Sequence, residues 1–179
     1  MPTRSRWRSG SAAARSEGVD TNPAGTDRLV EVALDPSAGF RRGPDYEHER
    51  RIAIHDLREE NTFAPVEGSG GPYRLRIGRE EGRLLLDVED DMGVPQVQAV
   101  LLLAALRQTL RDYATICDTY HEAIRTAPRS QIEAIDMGRR SCHNDGAEII
   151  RRELAGTVDI DETTARALFT LVHALHVRL

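Results

Sequence analysis

The sequence predicts an α+β fold: a small antiparallel sheet of about four strands, helices packed on one face, and a mainly helical C-terminal half. Three observations lead there. Before residue 103, several segments place apolar side chains at every second position, the period of a half-buried strand. After it, apolar residues recur at steps of three and four, the period of a helix face. The order of strand, helix, three strands, then helices lacks the regular alternation of a parallel α/β sheet.

Met1–Asp27 mixes Arg, Ser, Ala, Gly and Pro without period and is expected to be a disordered tail, because such a composition buries too little apolar surface to offset ordering. Its first 16 residues hold four arginines and no acid, which resembles a transit peptide in composition; a dispensable extension is the preferred reading. Residues 28–179 then form a single domain, long enough for a core without disulfide staples.

Arg28–Leu34 alternates and predicts a strand, with Val30, Val32 and Leu34 on one side. Pro36–Gly43 reads as a loop. Pro44 suits the first turn of a helix that reaches about Asn61, with Asp45 and Glu47 near its positive end. Thr62–Pro72 is rich in Gly and Pro and reads as a connection. Tyr73–Ile77 and Arg83–Asp90 predict a hairpin. Pairing Ile77 with Leu84, Leu75 with Leu86 and Tyr73 with Val88 builds one apolar face and sets Arg74 opposite Asp87 on the other. Asp91-Met92-Gly93 turns the chain into a strand over about Val94–Leu102.

A long helix to about Thr126 follows. Its seam is Leu103, Leu106, Leu110, Tyr113, Cys117, Tyr120 and Ile124, placed to pack on the sheet or, alternatively, against a second copy in a homodimer. Pro128 opens another helical region that ends at Gly156, and the sequence leaves open whether it runs unbroken or is interrupted near Asn144–Gly146. Thr157–Ile160 is a short extended piece. Asp161 can cap a final helix whose buried side is Ala165, Leu168, Val172 and Leu175.

All 24 basic residues are arginine. Without lysine there is no Walker-type phosphate loop, no Schiff-base chemistry on a lysine side chain and no kinase lysine. The net charge is −5, and the tail contributes +1 through four arginines against three acids, so the body carries −6. That argues against a nucleic-acid groove and an anionic membrane surface. No apolar run nears the ~20 residues of a membrane span. The two cysteines, Cys117 and Cys142, make no disulfide framework, and with no secretory signal the expected location is the cytoplasm.

The densest cluster of functional side chains is Gln131–Gly146. On an unbroken helix, Glu133, Asp136, Arg140 and His143 share a stripe. Arginine presents a planar fork to carboxylate or phosphate, and a histidine beside acids can act as a general base. Glu133, Asp136, His143 and, from the first helix, His48 are therefore the catalytic candidates. Arg139, Arg140 and Asn144 are the anion-binding candidates. The structural alternative is intrahelical pairing, as between Asp136 and Arg140 at i,i+4. His48, His55 and Glu59 also share a stripe, but histidines seven apart stand about 10 Å apart along the axis, too far to hold one ion. Cys117 with His121 makes only half a zinc site, and His173 with His176 reads as one packed and one solvated ring. No metal and no cofactor are expected.

The segments EHERRIAIHDLREENTFAPV (Glu47–Val66), GPYRLRI (Gly71–Ile77), EAIRTAPRSQIEAIDMGRR (Glu122–Arg140), HNDGAE (His143–Glu148) and TARALFTLVHALH (Thr164–His176) resemble a proteobacterial family, uncharacterised protein family 0262, over about Leu29 to His176. The resemblance implies a small bacterial cytosolic protein of unknown function and supplies no reaction. Asp145 stands where the resemblance leads to Glu, and Cys142 where it leads to Leu, so a role that needs the longer carboxylate's reach is in doubt.

Two functions follow as expectations. The first is a cytosolic interaction or regulatory module with a protein partner or a small anionic ligand; Val100 and Leu102, outward at the sheet's edge, are its positive hint. The second is a small metal-independent hydrolase or lyase acting on an anionic metabolite through a His/Arg/acid cluster. It requires a cleft where the first helix meets residues 128–155, with a histidine in hydrogen-bond reach of an acid.

Overall fold

The computed structural model describes residues 26–40 and 43–175. The elements are β1 (Leu29–Leu34), a 3-10 turn (Pro36–Ala38), α1 (Pro44–Glu59), β2 (Phe63–Pro65), β3 (Tyr73–Glu80), β4 (Arg83–Asp90), β5 (Pro95–Leu102), α2 (Leu103–Thr126), α3 (Arg129–Leu154), β6 (Val158–Ile160) and α4 (Glu162–Leu175). The fold is α+β. The tail expected to be disordered lies, from 1 to 25, outside the described residues. Asp27, which composition assigns to that tail, accepts hydrogen bonds from Gly71 N and the Tyr73 hydroxyl, each at 3.3 Å.

The main sheet has the order β1-β3-β4-β5 and is mixed rather than antiparallel throughout. β1 runs parallel to β3, whereas β3–β4 and β4–β5 are antiparallel. The reason is the connection. α1 lies between β1 and β3, and a helical crossover returns the chain in the same direction, which a tight hairpin cannot do.

The β3–β4 register also differs from the expected one. Ile77 faces Leu86, Leu75 faces Val88, and Arg76 rather than Arg74 faces Asp87. Both strands continue past Gly78 to a two-residue turn at Glu81-Gly82, where φ is 26° and 81°. Positive φ at both positions matches the twist of a hairpin. The displacement is two residues, so each side chain keeps its expected face. Leu75, Ile77, Leu84, Leu86, Val88, Ala99 and Leu101 are buried on the helix side. Arg74 reaches Glu31 of β1 across the open face at 3.5 Å.

The seam of α2 divides in two. Leu103, Leu106, Leu110 and Tyr113 are buried in the core, Cys117 and Tyr120 are half-buried, and Ile124 is exposed. α3 is continuous from Arg129 to Leu154, which decides between the two readings of Asn144–Gly146 in favour of an unbroken helix. Gly146 is a packing position: a Cβ there would sit 2.1 Å from the Phe169 ring of α4. Within Thr62–Pro72, read as connection only, Phe63–Pro65 pairs antiparallel with Val158–Ile160. Asp161 caps α4 as expected, accepting from Thr164 N at 2.8 Å. Thr164, fully buried, accepts from Thr62 N at 2.8 Å and ties the small sheet to α4. Among the described residues no helix is long and apolar enough to cross a membrane.

Candidate functional site

The stripe on α3 separates because its surroundings change along the helix. Glu133 is exposed and accepts from Arg129 Nε at 2.8 Å. Ten residues on, about 15 Å further along the axis, His143 is in the core with 9% of its surface exposed. The Nε2 of His143 lies 2.9 Å from the Thr170 hydroxyl of α4. That hydroxyl donates to the carbonyl of Arg166 at 3.1 Å, so its proton is committed, and the network assigns the hydrogen of His143 to Nε2. Nδ1 is then a buried acceptor with no hydrogen-bond partner among the described residues. The ring is packed edge-on against Phe169, with Tyr113 tilted beside it. Burial, then Arg166, Arg139 and His173, push its pKa down to about 4. His143 is a neutral core side chain bonded to a threonine, not a base oriented by an acid.

Asp136 sits between two arginines. It accepts from Arg139 Nη2 at 2.7 Å and Nε at 3.1 Å, and from Arg140 Nε at 2.8 Å. The Arg139 hydrogen bonds, with both nearby positive charges, hold its carboxyl below the usual range. One carboxylate against two guanidiniums leaves one positive charge. Arg140 extends into solvent, its side chain 68% exposed, whereas that of Arg139 is 30% exposed. Arg139 turns toward α2, with its guanidinium 5.3 Å from the centre of the Tyr120 ring, a cation–π distance. Asn144 is on the surface and accepts from Arg166 Nη1 at 2.7 Å.

Arg139 lines a cleft of about 390 Å³ between all four helices. α1 contributes Glu49 and Ile52; α2 contributes Tyr113, Cys117, Tyr120 and His121. α4 contributes Thr170, His173 and Ala174. His173 packs edge-on against Tyr113 at 5.0 Å between ring centres. Burial raises the pKa of the Tyr113 hydroxyl, and that of the Cys117 thiol likewise. Cys142 is raised as well, by burial first and then Asp112 and Asp145, so both thiols are protonated near neutral pH and poor nucleophiles. A wider depression of about 620 Å³ beside Phe40 and Arg50 holds none of the nominated residues.

The nominated residues are thus dispersed. Arg139 enters the cleft; His143 lies behind it, linked through Thr170; Glu133, Arg140 and Asn144 face outward. His48 is an exposed residue of α1 and is not among the cleft's lining residues. Cys117 and His121 do line it, but among the described residues no group of three or more His, Cys, Asp or Glu is placed to hold a metal ion. His176 lies outside the described residues. Sequence reasoning missed Thr170 and Tyr113 as cleft walls, whereas the expected meeting of the first helix with residues 128–155 is present in Glu49, Ile52 and Arg139. A lone threonine on an apolar helix carries no local signal, and Tyr113 read as part of the seam.

Residues 26–178 match the model of the Uncharacterised protein family (UPF0262). A UPF0262 protein of Rhodopseudomonas palustris (strain HaA2) is 50% identical over 159 residues, which is 87% of this chain and 98% of that one. Another, from Brucella anthropi, is 49% identical over 152 residues, 84% of this chain and 94% of its own. A third, from Rhizobium leguminosarum bv. trifolii, is 47% identical over 155 residues, covering 87% and 98%. No solved structure matches the chain. A family model spanning the whole folded region, with relatives near half identity along almost their full length, makes this chain a member of the uncharacterised protein family UPF0262.

Proposed function

We propose that the protein is a non-catalytic regulatory module of the cytosol that binds a small organic anion in the four-helix cleft. One observation carries this: Arg139 is fixed by Asp136 and by the Tyr120 ring on the wall of a cleft whose other surfaces are mainly apolar. Guanidinium held in a partly desolvated site is suited to a carboxylate or phosphate head. The second arginine on Asp136 offsets that carboxylate's charge, so Asp136 does not cancel the charge of Arg139 in a cleft that also holds Glu49. Ile52, Tyr113, Tyr120 and Ala174 offer the ligand's body an apolar enclosure, the usual composition of small-molecule pockets.

Against the hydrolase or lyase alternative stand the positions of its two nominated bases, with His48 absent from the cleft's lining and His143 behind it. His143 is bonded to Thr170 and depressed to about 4, and the cleft's thiol is protonated. Two unpaired, half-buried cysteines agree with a reducing compartment. We also read residues 28–179 as one folding unit and 1–27 as an extension to it; the family match beginning at 26 supports that division.

The test is calorimetric titration with benzoate, phenyl phosphate and inorganic phosphate, on the wild type and Arg139→Gln. Benzoate or phenyl phosphate should bind the wild type, and Arg139→Gln should weaken that by about tenfold or more, the worth of a charge-assisted hydrogen bond. Thermal midpoints recorded alongside show that the variant is folded. No binding by any of the three, or equal binding by Arg139→Gln, refutes the assignment.

A further inference from the structure

The two edges of the main sheet are treated differently. At the start of β1 the outward backbone is occupied: Leu29 N donates to Asn61 Oδ1 at 2.6 Å, Leu29 O accepts from Asn61 Nδ2 at 3.1 Å, and Val30 O accepts from Arg58 Nε at 3.1 Å. On β5 the corresponding groups are open. Leu103 N donates to Gly82 O at 3.0 Å, which fixes the alternation. Residues 97, 99 and 101 exchange bonds with β4, whereas Gln98, Val100 and Leu102 turn their N–H and C=O groups away from it. Leu102 is the N-cap of α2, so its carbonyl is the helix's first acceptor and only its N–H stays open; among the described residues nothing else bonds to the Gln98 and Val100 backbone. The start of β5 is covered, since Gln96 Oε1 accepts from Ser69 N and Oγ at 3.0 and 2.9 Å. The free length is therefore 98–102. Its side chains on the open face include Val100, 36% exposed, and Leu102, 49% exposed.

Such an edge recruits another strand unless charge, proline or a covering element blocks it. Pro95–Leu102 contains no ionisable residue, so a like strand meets no charge repulsion. We propose that β5 pairs antiparallel with β5 of a second copy, about a two-fold axis at Val100, joining two four-stranded sheets into one.

The register is self-complementary. Val100 faces its own copy, and Gln98 faces Leu102 of the other chain. The three pairs supply about four backbone hydrogen bonds, two at Val100 and one from each Leu102 N–H to Gln98 O, since the Leu102 carbonyl serves α2. On the open face the central row then runs Leu85, Val100, Val100, Leu85 across the axis, all apolar. In the rows beside it, Asp87, which lies next to Gln98, stands at one end. At the other end stands Arg83 of the second copy, next to its Leu102. Acid and base thus occupy opposite ends of each row, and no like charges meet. A peptide of another protein would satisfy the same backbone groups, but it would leave the chain monomeric alone in solution.

The test is molar mass by light scattering over a dilution series, joined to site-specific cross-linking of the full chain. The wild type should run near twice its 19.9 kDa and fall toward one copy on dilution. Val100→Arg should be monomeric with an unchanged monomer unfolding midpoint. Val100→Cys should form an intermolecular disulfide between the two copies of position 100, because directly paired Cα atoms stand about 5.5 Å apart, within disulfide range. Gln98→Cys alone should not, its copies being about 13 Å apart along the strands. Peptide mapping separates these bonds from Cys117 and Cys142. A wild type monomeric throughout, a dimer that survives Val100→Arg, or faster self-linking at 98 than at 100 overturns the proposal.

Discussion

Replacing Gly146 by alanine sets two effects of opposite sign against each other. In the middle of α3 the substitution removes the entropic cost of glycine, a gain of about 0.8–1 kcal/mol. Against it stands the Phe169 ring. The new Cβ would lie 2.1, 2.4 and 2.5 Å from three of its carbons, where contact begins at about 3.5 Å. Phe169 is fully buried and edge-packed against Tyr113 at 5.3 Å and His143 at 5.3 Å. It has no solvent-side room to retreat, so α3 and α4 must part. Overpacking of this kind costs roughly 1–3 kcal/mol and sometimes more. Three overlaps this close belong at the upper end of that range, about 2–3 kcal/mol, so Gly146→Ala should be destabilised by about 1–2 kcal/mol net, lowering the thermal midpoint by roughly 2–8 °C for a chain of this size. Gly138, two turns earlier on the same helix, is the control. There the new Cβ meets only the terminal methyl of half-buried Ile116, at 3.0 Å. That methyl can move, so Gly138→Ala should be neutral or stabilised by up to ~1 kcal/mol. Urea midpoints of the two variants, measured together, decide the matter. A Gly146→Ala protein as stable as wild type would show that α3 and α4 do not meet at Phe169 as described.

Acid should weaken the fold through His143. Its pKa falls from 6.5 in the unfolded chain to about 4 in the folded one, so its contribution is complete above pH ~6.5 and is lost as the pH falls toward 4. The loss is at most roughly 3 kcal/mol, and urea midpoints of His143→Gln should decline less over that window; equal slopes would deny the histidine this role. Asn61→Ala should cost about 1–3 kcal/mol, because both backbone groups of Leu29 on the β1 edge lose their partner. Faster amide exchange at Leu29 than in wild type checks it. Leu110→Ala, in the packed half of the α2 seam, should cost ~2–5 kcal/mol by thermal or urea unfolding; a loss under 1 kcal/mol would place that seam outside the core.

Where a pattern is local, the sequence carried the fold well. Alternation along Tyr73–Ile77 and Arg83–Asp90 assigned the correct face to every side chain, because parity survives a two-residue error in register. The register itself was missed because Arg79 and Glu80 look like loop residues, yet Glu80 pairs with Arg83 on the open face and Arg79, opposite Leu84, is half-buried at the sheet's end, where its long stem packs and its charge reaches water. β1 was placed correctly in sequence and wrongly in direction, although the α1 crossover between it and β3 implied a parallel return. Phe63–Pro65 and its partner Val158–Ile160 are three residues each, too short to show a period. Gly146 resembled a helix stop because its reason for being glycine, Phe169, is distant in sequence and adjacent only in space. The same limit governs the site. Arg139 and Arg140 are neighbours with the same chemistry, and only the position of Tyr120 across the α2–α3 pair sends one into the cleft and the other into water. His143 was nominated from its stripe on α3, but its helix neighbours say nothing about Thr170 of α4, which engages its Nε2 in the core.

The most direct measurement is a benzoate titration of the isotope-labelled chain followed by amide and arginine side-chain NMR signals. Occupancy of the four-helix cleft should move Ile52, Tyr120, Arg139, Thr170 and His173, residues from four separate helices that share only that space. Saturable shifts at all five, absent in Arg139→Gln, are the expected result; no shifts, or shifts confined to other surfaces, would contradict the cleft as a binding site.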